Sequence, residues 1–129
     1  MPYLQIDVPN AYSTAVKTAL VKELAELYAR VMETQSRIVT VGFRELGAAN
    51  VMRYDGHAAH PTVAIMCDIR RGRPPEQRRR LAEAMVETVA AALSWPKERI
   101  VLEFTQHDGD EMYRDGGYVR DWNAAEALI

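Results

Sequence analysis

The chain has 129 residues, the size of one compact domain, and at that length about two-thirds of the unfolded surface is buried on folding. Its 48% hydrophobic and 26% charged residues are ordinary for a globular protein, and 16 Lys and Arg against 18 Asp and Glu leave a net charge of -2, which argues against a general polyanion binder. A single cysteine, Cys67, cannot close an internal disulfide, the opening MPYLQIDVPN has neither a basic leader nor a sustained apolar run, and no stretch approaches a membrane span of about 18 apolar residues, so a soluble cytoplasmic protein with no membrane partner is expected.

Tyr3 to Val8 (YLQIDV) alternates in part and is followed by the turn signal PNAYS, which predicts a short strand. Ser13 is placed to cap a helix running to about Met32, whose apolar positions Val16, Leu20, Leu24, Leu27 and Val31 recur at intervals of three and four. The β-branched run Arg37 to Phe43 (RIVTVGF) predicts a second strand. After YDGHAAHP the same order returns: a strand over Thr62 to Ile69, a turn at RRGRPP, a helix with Leu81, Met85, Val89 and Leu93 inward and Val86 flanking, and a strand over Arg99 to Phe104 (RIVLEF).

RIVLEF so resembles RIVTVGF that the chain reads as duplicated, with pseudo-repeats of about 2–50 and 61–115, each opening on a proline (Pro2, Pro61), and a C-terminal extension. Each strand-helix-strand crossover brings its two strands parallel. The fold class expected is α/β (α+β): one domain over 1–129 in which two fused β-α-β units make a four-stranded sheet with both helices on one face. An apolar sheet face left bare on the other side predicts oligomerisation.

The Met-Pro start, the repeat, and the RRGR at a strand end before the second helix resemble the tautomerase superfamily, whose subunits are β-α-β units built around an amino-terminal proline. More narrowly, TQSRIVTVGFRELGAANV (34–51), IRRGRPPEQRRRLAEAMV (69–86), RIVLEF and EMYRDG (111–116) resemble the cis-3-chloroacrylic acid dehalogenase group. The resemblance implies a homotrimer and an active site where Pro2 meets arginines of the second unit.

With the initiator methionine removed, Pro2 carries a free secondary amine on a ring that fixes its direction, and such an amine serves as general base when its pKa lies near the working pH. Neighbouring guanidiniums favour its neutral form and grip a substrate carboxylate through paired N–H donors, the role assigned to Arg70 and Arg73. Arg78, Arg79 and Arg80 fan around a helix, within reach of Glu76, Glu83 and Glu87, and are expected mostly in solvent, with no nucleic-acid partner.

The dehalogenase pattern also has a histidine, a tyrosine and a glutamate, and these positions fall here on Tyr28, Glu103 and Arg114. Arg114 is a permanent cation that cannot accept a proton from water, which argues against hydrolytic dehalogenation. What survives of the pattern implies keto-enol tautomerisation of a small 2-keto or unsaturated carboxylic acid; the alternatives are a hydratase or dehalogenase of 3-carbon unsaturated acids, or an inert trimer that binds an anion or a protein. Tyr28 is a candidate substrate donor or a packing residue, Glu103 and Arg114 are candidate pocket residues, and Trp122 is a candidate pocket wall or subunit anchor. His57 and His60 read as loop residues, HDGDE (107–111) as an acidic turn and Cys67 as packing, so no metal is expected; without a phosphate-cradling glycine loop, no cofactor is expected.

Overall fold

The computed structural model describes residues 2–128; Met1 lies outside the described residues, and with it the expected loss of that methionine, as does Ile129. Strand β1 (Tyr3–Val8) leads into helix α1 (Thr14–Met32), then β2 (Thr40–Glu45), a hairpin of β3 (Met52–Tyr54) and β4 (Ala59–Pro61), β5 (Val63–Arg70), α2 (Pro75–Leu93), β6 (Ile100–His107), and a hairpin of β7 (Tyr113–Arg114) and β8 (Gly117–Tyr118). A 3-10 turn over Ala124–Leu128 follows.

The main sheet has the order β2-β1-β5-β6. Each crossover pairs its strands in parallel, β1 with β2 and β5 with β6, and the halves join through antiparallel β1 and β5. Strand boundaries differ from expectation at several places. The segment expected as strand from Arg37 begins with a 3-10 turn at Ser36–Ile38, because pairing starts only where Thr40 comes level with Tyr3. Strand β5 runs one residue beyond Ile69, and β6 reaches His107 because β5 continues opposite it to Arg70. The stretch read as a loop around His57 and His60 folds into the β3-β4 hairpin, with His60 Nε2 2.7 Å from Asp55 Oδ2.

The core lies between the sheet and the helices. Leu4, Ile6 and Val8 from β1 and Val63, Ile65, Cys67 and Ile69 from β5 point at Leu20, Leu24, Leu27, Tyr28 and Met32 of α1 and at Leu81, Met85, Val89 and Leu93 of α2. Alternation sends the intervening residues to the uncovered face. That face is not the apolar surface expected: paired positions there bring Gln5, Met66 and Glu103 into one row and Asp7, Ala64 and Arg44 into another. Asp7 accepts two hydrogen bonds from Arg44, at 2.7 and 2.8 Å. The strands alternate polar with apolar, so the uncovered side stays mixed.

The halves correspond in contacts as well as in order. Each helix has 19 residues and closes on a left-handed residue, Glu33 at φ 52° and Ser94 at φ 51°. Ser13 caps α1 by accepting from Val16 N–H at 3.2 Å. Tyr12, just before α1, donates its hydroxyl to Leu93 O, the last residue of α2, at 3.3 Å; Arg73, at the matching place before α2, donates to Met32 O, the last residue of α1. Each half therefore closes the carbonyl end of the other's helix, once with a phenol and once with a guanidinium.

Cys67 is fully buried, and burial pushes its thiol up to about 12. Thiol titration with a chromogenic disulfide should find no reactive group in the native protein and one per chain in concentrated guanidinium chloride.

Candidate functional site

The arginines singled out in sequence lie where β5 ends and α2 begins. Between them Arg71 N–H donates to His107 O at 2.8 Å, and Gly72 turns the chain at φ 128°. A Cβ at Gly72 would stand 2.3 Å from Trp122 O, so the glycine serves close approach as well as the turn. The approaching segment is fastened there by Trp122 N–H donating to Arg71 O at 2.9 Å.

Arg70 and Arg73 are both 3% exposed, rare for arginine unless its donors are used. Arg70 donates to Arg120 O at 2.7 Å and to Glu126 Oε2 at 2.5 Å. Arg73 donates through Nε and Nη2 to Met32 O, at 3.3 and 3.1 Å. Its guanidinium carbon lies 4.8 Å from the ring centroid of Trp122 and 5.8 Å from that of Tyr28. Burial lowers the Arg73 pKa, and the Arg70 cation acts in the same direction.

Two neighbours complete the closure of α1. Gln77 donates to Val31 O at 3.0 Å, and the Trp122 indole donates to Glu33 O at 3.0 Å. Tyr28 is 1% exposed; burial pushes its phenol up to about 12 despite the opposing pull of Arg73 and Arg70.

Beside Arg70 a cavity of about 430 Å³ is lined by Thr34, Arg37, Ile38, Arg114, Arg120 and Glu126, among others. Arg37 and Arg114 share Asp115, at 3.7 and 3.1 Å. Among the described residues, two buried side-chain polar atoms have no hydrogen-bond partner, Arg73 Nη1 and Arg114 Nε. Buried guanidinium N–H groups of this kind can be answered by an anionic acceptor.

Pro2 is buried, and its carbonyl accepts from Thr40 N–H at 3.1 Å. The register that sets Tyr3 opposite Asp68 carries Pro2 level with Ile69, the residue before Arg70. Glu103 is not brought to Arg70 within the chain: it pairs with Met66, whereas Arg70 pairs with His107 four residues further along β6, about 13 Å at the rise of a strand. It lines a separate cavity of about 340 Å³ on the uncovered face, with Gln5, Asp7 and Arg44. Of the helical trio, Arg79 pairs with Glu76 and Glu83 in solvent, as expected. Arg78 departs from expectation: it is half-buried and donates to Arg73 O at 2.7 Å, because its side chain folds back over the turn.

Sequence reasoning missed Glu126, Thr34 and Arg120. Glu126 stands in the stretch AAEAL, where neither spacing nor charge pattern marks it.

The family model for macrophage migration inhibitory factor (MIF) matches residues 1–119. The chain belongs to the MIF family. Among curated proteins no relative matches it. Among solved structures this MIF-family chain resembles N1, a member of the cis-3-chloroacrylic acid dehalogenase family, at TM-score 0.82 and 23% identity over 92% of this chain and 84% of that one. It resembles a fused 4-OT described as a symmetric trimer at TM-score 0.78 and 22% identity, over 97% and 98%. The macrophage migration inhibitory factor of Toxoplasma gondii gives TM-score 0.74 and 24% identity, over 90% and 98%. These likenesses establish a shared tautomerase β-α-β fold.

Two predictions come from the Arg73 setting. Trp122→Phe keeps an aromatic face but removes the bond to Glu33 O and should cost about 1 kcal/mol; Trp122→Ala also removes the ring and should cost about 3 kcal/mol or more, both read from urea midpoints. Because the folded pKa of Tyr28 lies above its unfolded value, the stability this difference confers is complete below about pH 10 and lost as pH rises toward 12. Tyr28→Phe should therefore lose less stability than wild type between about pH 9 and about pH 11 in the same urea assay.

Proposed function

We propose that this MIF-family chain is a cofactor-independent tautomerase that moves a proton between carbon and oxygen in a small 2-keto or unsaturated carboxylic acid. Pro2, its amine freed by loss of Met1, is the general base. Arg70 and Arg73 hold the substrate carboxylate, with Tyr28, Arg114 and Trp122 around them. The observation that carries this reading is the pair of buried guanidinium donors left over after every protein contact, Arg73 Nη1 and Arg114 Nε, at the end of the sheet where Pro2 begins. A buried N–H without an acceptor is costly, and an anion supplies the acceptor.

The two proposed roles support each other physically. Cations beside an amine disfavour its protonated form, so the arginines that grip a carboxylate also keep the ring nitrogen basic near neutrality. Tyr28 stays protonated at any working pH, so its part is packing or hydrogen-bond donation. Glu103 has no part within the chain, being about 13 Å along the sheet from Arg70.

A homotrimer is part of the proposal. Fused 4-OT structures of the same fold are described as trimers, and the uncovered sheet face and the free edges of β2 and β6 offer surface for assembly. One buried cysteine suits a reducing compartment such as the cytoplasm.

Enolisation of phenylpyruvate is the assay. Pro2→Ala should abolish it; Arg70→Ala should raise KM by about tenfold or more with a smaller change in kcat, as a residue used mainly for binding does. Equal rates in wild type and Pro2→Ala sink the mechanism. Mass spectrometry of the same preparation checks that Met1 is gone, since an acylated Pro2 nitrogen has no basicity. Chloride release from cis-3-chloroacrylate should stay at background.

A further inference from the structure

Arg70 already holds a carboxylate. The Glu126 side chain comes from the 3-10 turn that ends the chain and places Oε2 2.5 Å from Arg70 Nη2, while Arg70 Nη1 is taken by Arg120 O at 2.7 Å. The same Glu126 oxygen accepts a hydrogen bond from the Thr34 hydroxyl, beyond the end of α1. The ion pair is sheltered, with side-chain exposures of 3% for Arg70 and 20% for Glu126. Burial works against the charged carboxylate, yet the bonds from Arg70 and Thr34 outweigh it and hold the Glu126 carboxyl below its ordinary range.

We propose that Glu126 occupies the seat of the substrate carboxylate on Arg70, so that a carboxylate ligand binds by exchange with Glu126. The inference deepens the tautomerase reading and rests on its assignment of Arg70 as a carboxylate holder.

The exchange follows from the cost of the alternatives. If the terminal turn swung away with nothing in its place, Arg70 would lose its anion and keep one carbonyl for company, and leaving a sheltered cation without its partner is strongly destabilising. An open, empty site is therefore scarce. A ligand carboxylate offers the same charge and an equivalent acceptor oxygen for Arg70 Nη2, so exchange leaves the guanidinium paired throughout. A neutral ligand offers no such replacement. Exchange therefore favours a ligand that brings its own negative charge to Arg70, and a small uncharged carbonyl compound brings none.

The surrounding contacts fit a segment that is held upstream and exchangeable at its end. Trp122 is fastened by its backbone to Arg71 and by its indole to Glu33, and Asp121 accepts from Gly109 N–H at 2.6 Å. Beyond Trp122, among the described residues, the segment's side-chain hydrogen bonds to other elements are those of Glu126 to Arg70 and Thr34. Releasing Glu126 can leave Trp122 stacked on Arg73.

The test compares wild type with Glu126→Gln, which keeps size and removes charge, using phenylpyruvate and phenylacetone, which has a methyl group where the carboxylate stands. Calorimetric titration should show phenylpyruvate binding tighter in the variant by about tenfold or more, because the competing internal anion is gone. Phenylacetone affinity should stay the same, and Arg70→Ala added to Glu126→Gln should erase the gain. Thermal melting gives a second readout: the variant should melt lower than wild type without ligand and be raised further by phenylpyruvate. Should Glu126→Gln not fold, Thr34→Val loosens the same carboxylate without touching Arg70 and should show a smaller gain of the same sign. Equal or weaker phenylpyruvate binding in the folded variant overturns the inference, since Glu126 would then be a partner of the ligand or a bystander. The two readings fail separately: tighter binding without turnover in either protein defeats the tautomerase reading alone, and turnover without tighter binding defeats this one alone.

Discussion

The guanidinium of Arg73, lodged under the carbonyl end of α1 and flanked by the rings of Tyr28 and Trp122, joins the three parts of the molecule that make the site. An α-helix leaves its last carbonyls without intrahelical partners, and its aligned peptides give that end partial negative charge. Here the last turn is answered from elsewhere: Met32 O by Arg73, Val31 O by Gln77, and Glu33 O by Trp122. Arg73 and Gln77 belong to the second half and Trp122 to the C-terminal segment, so the first half cannot close its helix without the other two. Bonds from a charged donor contribute about 1.5–3 kcal/mol each, and a cation at a partly buried helix end adds up to about 2 kcal/mol.

That closure has an electrostatic price at the neighbouring position. Seating Arg73 there leaves a second buried guanidinium, Arg70, close enough to lower the Arg73 pKa. Two buried cations need anions or aromatic faces nearby, and the chain supplies both: the rings of Tyr28 and Trp122 to Arg73, the carboxylate of Glu126 to Arg70. Helix closure by Arg73 and the pairing of Arg70 with a carboxylate of the chain thus share one origin.

The fold was legible in sequence because its periodicities are local. The inward positions Leu20, Leu24 and Leu27 of α1 and Leu81, Met85, Val89 and Leu93 of α2 are those that spacing marks, and Ser13 caps where a serine before an amphipathic run should. Strand ends were less legible, since pairing decides them: Arg37 is β-branched territory by neighbourhood, but the ladder begins only at Thr40. The polar character of the uncovered face was readable residue by residue in YLQIDV, yet was obscured by the apolar look of RIVTVGF. Within the site, Arg70 and Arg73 stood out by motif, whereas their partners did not. Glu126 lies in an alanine-rich stretch, and Thr34 and Arg120 carry no pattern; what selects them is proximity in space across a long separation in sequence, such as the 56 positions that separate Glu126 from Arg70.

The correspondence between Tyr12 and Arg73 holds in position but not in charge. Both residues close the opposite helix from the same place in their halves, but a phenol is neutral and a guanidinium is not. A molecule assembled from two separate copies of the arginine-bearing half would present the same cationic nook at both ends of its sheet. Here the second helix ends instead on a neutral phenol, so the two poles of the sheet differ in whether a buried cation sits beneath a helix terminus.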